Sequence, residues 1–125
     1  MEQTSSVPLM RTVKGVVLGL AVSLGAAVLL TFGFAALLAV GVPDGWIALF
    51  AHLTALLAAL AGGCAAGMKG KSNGLLTGLF AGVALFLIHF LATILFGELS
   101  FSCLTFLAVE ALGGVLGGIF GVNLR

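Results

Sequence analysis

FSCLTFLAVEALGGVLGGIFGV, residues 101–122, sets one acidic residue in a long apolar run and follows it with glycines at 113, 114, 117, 118 and 121. The run is long enough for a helix to cross a bilayer, because about 20 apolar residues span the hydrocarbon core. A carboxylate at that depth is costly and normally faces protein or water. Glu110 therefore predicts a helix with an inward side. The glycines recur at intervals of three and four, which keeps them on one side of a helix and lets another backbone approach closely.

Working outward, three more apolar stretches precede this one. The first covers 15–42 and would run roughly 42 Å as a single helix, longer than the hydrocarbon core. Tilt, a kink or an interfacial end must absorb the excess. It is too long for the apolar region of a cleaved signal peptide, and three further spans follow. The second stretch covers 46–68, the third 74–96, and the fourth ends near 121. Residues 1–10 read as a short polar tail, with the membrane domain occupying 11–125. VPDGW at 42–46 is a turn in which Pro43 stops a helix and Trp46 anchors the interface. GMKGKSNG at 67–74 and GELS at 97–100 are the other turns, with Ser72 or Asn73, and Ser100, as candidate N-caps. The resulting fold class is all-α: a polytopic transmembrane bundle of four helices, with antiparallel neighbours joined by short loops. Runs this long without alternating polarity exclude a transmembrane β-barrel.

Composition agrees. Of 125 residues, 62% are hydrophobic and 7% charged, with a mean hydropathy of +1.34. So little polar surface could not cover a soluble core. The few charges are segregated. With four crossings, Arg11, Lys14, Lys69, Lys71 and Arg125 fall on one side, and Asp44 and Glu98 on the other. That bias over short loops predicts that both termini are cytoplasmic. The positive rim is accounted for by orientation and not by nucleic-acid binding. Cys64 and Cys103 lie near opposite membrane faces, so they predict no intramolecular disulfide.

Each span carries a ridge of small residues. These are Gly15, Gly19 and Ser23 with Ala26 or Ala27 in the first; Ala59, Gly63 and Gly67 in the second; Gly74, Gly78 and Gly82 in the third; and Gly113, Gly117 and Gly121, flanked by Gly114 and Gly118, in the fourth. Gly118 is expected to be the more tolerant neighbour of Gly117 if it lies off the closest contact. GGCAAG at 62–67 and GGVLGG at 113–118 raise an internal duplication, which convergent small-residue packing explains equally well.

Three ionisable groups fall on the small faces at outer-to-middle depth: His52, His89 and Glu110. Such a cluster serves as a structural knot, as a proton- or cation-responsive site, or as an interaction surface for another membrane protein. Glu110 is expected to face the bundle and meet His52 or His89, directly or through water. No HExxH, CxxC or Walker loop is present, and GGVLGGIFG lacks a strand–turn–helix context. No catalytic residue, cofactor site or metal site is predicted. The expected partners are the lipid bilayer and another membrane protein or a second copy. The function expected is that of a structural or accessory membrane subunit. The alternative is a small proton-coupled transporter or channel component that uses Glu110 with His52 and His89.

The basic start at Arg11 and Lys14, the GMKGKSNGLLTGL segment at 67–79 and the GGVLGGIFGVN ending at 113–123 resemble the uncharacterised YrzE-like family of small bacterial membrane proteins. The resemblance covers about residues 11–123. It implies a plasma-membrane bundle and supplies no catalytic residues. Lys69, Lys71, Asn73, Gly78 and the glycine-to-Asn123 ending carry it, whereas His52, His89 and Glu110 rest on position alone.

Overall fold

The computed structural model describes residues 2–70, 74–95 and 102–124, with side chains described from residue 10 onward and, in the last helix, from 104. All four expected helices form: α1 (Glu2–Ala39), α2 (Ile47–Gly70), α3 (Gly74–Leu95) and α4 (Ser102–Asn123). Each contains a segment long and apolar enough to cross a membrane, and no strand occurs among the described residues. The candidate caps Ser72, Asn73 and Ser100 lie outside those residues.

The bounds of α1 differ from the sequence expectation at both ends. The helix begins at Glu2, so residues 2–10 extend it instead of forming a separate tail. Elongation from an existing helix adds a hydrogen bond for each residue ordered, so the apolar span carries the helix back toward the N-terminus. At the other end the helix stops at Ala39, before the proline. Gly41 adopts φ 118°, its N–H donates to the Leu38 carbonyl, and the Val42 N–H donates to the Leu37 carbonyl. Those two bonds make a Schellman cap, in which glycine's freedom at positive φ ends the helix. Pro43 then leads into a single 3-10 turn, Asp44–Trp46. The Trp46 ring lies against Phe50, which stacks on Phe34 with ring centroids 4.6 Å apart. This aromatic group ties the end of α1 to the start of α2.

Glycine contacts set the arrangement. A Cβ built on Gly15 would meet the backbone of Ala66 and Gly70, and one on Gly19 would meet Gly62 and Ala66. Ser23 continues that line by donating its hydroxyl to the buried Ala58 carbonyl at 2.9 Å. α1 and α2 are therefore antiparallel, backbone against backbone. α3 and α4 repeat the pattern, with Gly74 against Gly118, Gly78 against Gly114, and Gly82 against the Glu110 carbonyl.

The broadest contact joins α2 to α4, which run parallel and are not consecutive in the chain. Gly63 meets Gly114, Gly67 meets Gly118, Gly117 meets Leu60 and Gly121 meets Cys64. α4 is thus gripped on two sides: a Cβ on Gly113, Gly117 or Gly121 would run into α2, and one on Gly114 or Gly118 into α3. All twelve ridge glycines expected from sequence are buried. The GGCAAG and GGVLGG motifs lie directly against each other. A twofold axis between α2 and α4 would give α1–α4 contact matching α2–α3, yet α3 packs on α2 with no comparable α1–α4 contact. The two hairpins therefore do not pack with twofold symmetry.

The apolar core is small: Ala58, Ala59 and Leu85, covered by Leu20, Ala26 and Ala27. Large side chains point outward instead, with Leu29 75% and Phe32 72% exposed on α1. This is the distribution expected where lipid is the solvent, because burying leucine away from lipid brings little gain while close backbone contact does.

Candidate polar site between α3 and α4

Several intramembrane polar side chains satisfy themselves locally. The hydroxyls of Thr31, Thr54 and Thr93 each donate to the carbonyl four residues earlier, at 2.7–2.8 Å. His52 does the same through Nδ1, which donates to the Ala48 carbonyl at 2.8 Å. Its ring stacks on Phe106 with centroids 4.5 Å apart and planes within 9°. The expected three-residue cluster is corrected accordingly: His52 is held by its own helix and an aromatic ring. A histidine whose N–H reaches a carbonyl one turn back gains a bond without crossing to another helix, and periodicity does not reveal that choice.

His89 and Glu110 do meet. Nδ1–H of His89 donates to Oε1 of Glu110, joining α3 to α4. Glu110 is wholly buried, whereas the His89 side chain is 37% exposed. Oε2 of Glu110 is also buried and has no hydrogen-bond partner among the described residues. Local sequence explains the meeting. Gly82 lies directly against the Glu110 carbonyl, so the two backbones nearly touch there. His89 lies two turns further along α3, on the side of Leu85 and Gly82, and reaches back across the narrow gap. The pair sits roughly 9 Å from the Leu95 end of α3 and roughly 12 Å from the Ser102 end of α4. That is the outer half of the bundle if the basic end is inward.

The basic end is opposite. Arg11, Lys14 and Lys69 are exposed there, Lys69 in the last turn of α2, and Asp44 is exposed at the far end. Lys71, Glu98 and Arg125 lie outside the described residues. A shallow cavity of about 280 Å³ near the basic end is lined by Leu18, Ala65, Met68 and Lys69, well away from the pair. No group of three potential metal ligands occurs among the described residues.

A family model described as "Protein of unknown function (DUF3792)" matches residues 12–121. The chain belongs to this family. The match begins just after Arg11 and ends at Gly121, so it takes in every ridge glycine and both members of the buried pair. No curated protein and no solved structure matches the chain.

Proposed function

We propose that this DUF3792 protein is a structural or accessory subunit of a bacterial plasma membrane, of the YrzE-like kind, with both termini in the cytoplasm. The single observation carrying this reading is the interior itself. Glycine backbones fill the space between α2, α3 and α4, and the Glu110–His89 bond clamps α3 to α4. Such packing suits a rigid element that presents a fixed outer surface to a neighbour. The exposed Arg11, Lys14 and Lys69 at one end and Asp44 at the other support the orientation. No enzymatic step enters this reading.

Affinity purification from native membranes in mild detergent tests it. A stoichiometric membrane partner is expected, and recovery of the chain alone or only as a homo-oligomer would overturn the accessory role. One observation favours a second reading, a small proton-coupled transporter or channel component: the buried Oε2 of Glu110 has no hydrogen-bond partner among the described residues. Flux in proteoliposomes that Glu110→Gln abolishes would establish that reading.

A further inference from the structure

We propose that the cavity between α1 and α2 at the basic end is a binding site for one anionic phospholipid, with an acyl chain along the groove and the phosphate at Lys69 and Lys14. The proposal goes beyond the accessory and transport readings and holds under either, since it concerns a lipid held at the side of the bundle.

The antiparallel packing of the two helices builds the cavity. Gly15 lies against Ala66 and Gly70, and Gly19 against Gly62 and Ala66, so the backbones are closest along that line. Beside it, Leu18, Ala65, Met68 and Lys69 enclose a space of about 280 Å³. That is close to the roughly 300 Å³ at which ligand clefts begin. Ala65 and Lys69 are one turn apart on α2, so the cavity reaches about 6 Å from the charged residue toward the middle of the bundle. Leu18 is 44% and Met68 46% exposed, so its walls extend to the outer surface. Both helices are membrane-span-like there, over Met10–Ala39 and Asp44–Gly70. A hollow in that position opens sideways onto the bilayer, which supplies its occupant.

Cations stand at the mouth. Lys69 is itself a wall of the cavity, in the last turn of α2. Lys14 precedes Leu18 by four residues and Arg11 precedes it by seven, which puts both on the Leu18 side of α1, toward the basic end. Because Gly15 meets Gly70, Lys14 and Lys69 lie at the same level. All three basic residues are exposed. Of the carboxylates whose side chains are described, Asp44 is exposed at the opposite end and Glu110 is buried beside His89.

Orientation accounts for cations at this end but not for a hollow beneath one of them. The occupant must present an anion at the interface and an apolar chain below it, and a phospholipid has both parts. Lysine brings a point charge with three donors, which suits a phosphate, on a flexible stem that lies along apolar surface while the ammonium stays among the headgroups. Basic pockets between transmembrane helices take anionic headgroups in this way. A zwitterionic lipid carries a second, cationic group that the same residues repel, so a net negative lipid is favoured. A soluble anion would leave the apolar walls unfilled, and a peptide helix, about 10 Å across, is too wide for the space.

Native mass spectrometry of the purified full chain in a neutral detergent tests the site, with phosphatidylglycerol and phosphatidylcholine of identical chains offered in equal amounts. One phosphatidylglycerol is expected to stay bound, preferred by at least about fivefold, the factor that one lysine near the membrane surface contributes. Lys69→Gln should lower that preference by about fivefold. Ala65→Leu and Leu18→Phe fill the groove from its two walls and leave every cation in place, and both should lose the bound lipid. Leu29→Phe, on the exposed far part of α1, should change nothing. Excess inorganic phosphate should not displace the lipid. Equal retention of the two lipids by the wild type would overturn the proposal. So would an undiminished phosphatidylglycerol preference in both groove variants, which would reduce the effect to attraction by the basic rim. Displacement by inorganic phosphate would overturn it too, leaving a simple anion site.

Discussion

Glu110 shows how a side chain's cost depends on what surrounds it. A charged or hydrogen-bonding group inside the membrane must find a partner, and His89 supplies one for Oε1, while Oε2 meets none among the described residues. Glu110→Gln keeps an oxygen acceptor and adds an N–H donor, so the bundle should retain most of its stability. Glu110→Leu keeps the bulk but leaves Nδ1 of His89 without its acceptor. That loss should cost about 1–3 kcal/mol, as for other hydrogen-bonding groups stripped of a buried partner. Thermal aggregation in one detergent should rank wild type and Glu110→Gln close together, with Glu110→Leu clearly lower. Equal behaviour of the two variants would show that the interhelical bond contributes nothing to stability. His52→Leu makes a useful companion, because its ring nitrogen bonds within α2 and its loss leaves no group on another helix unpaired.

Between elements, the glycines carry the packing. The expectation that Gly118 is the tolerant neighbour of Gly117 is corrected by the two-sided grip on α4. A Cβ on Gly118 would run into Gly74 and Gly78 of α3, and one on Gly117 into Leu60 and Cys64 of α2. Gly117→Leu and Gly118→Leu should therefore both destabilise the bundle, each by at least about 1–3 kcal/mol, the usual cost of overpacking. Gly33, on the exposed part of α1, has nothing within 4 Å of a built Cβ. Gly33→Leu should accordingly leave aggregation temperature unchanged or raise it, since leucine is the better helix former. Wild-type behaviour of both α4 variants would mean that these helices do not approach as closely as the glycine contacts require. Sequence periodicity found the ridges but could not assign two sides to α4, because adjacent glycines at 113–114 and 117–118 fit a broad face equally well.

At the scale of the whole molecule, orientation is the open consequence of charge placement. In a background with Cys64 and Cys103 replaced by alanine, Asp44→Cys should react with a membrane-impermeant thiol reagent added outside intact spheroplasts. Lys69→Cys should react only after the membrane is opened. The reverse pattern would invert the proposed topology. Both positions are exposed at opposite ends of the bundle, so burial does not confound the comparison.

The sequence by itself determined the number of spans, the small-residue ridges, the segregation of charge and the inward placement of Glu110. These follow from local rules: an apolar run must be long enough to span, a ridge needs spacings of three and four, and an acid avoids lipid. The tertiary structure alone decided that α2 and α4 make the broadest contact, that Glu110 meets His89, and that His52 turns back to its own helix. Those outcomes depend on which backbones come close, and each helix carried a small face that fitted more than one neighbour. Gly82 against the Glu110 carbonyl brings α3 close enough for His89 to reach the acid, a proximity that no spacing along either helix records.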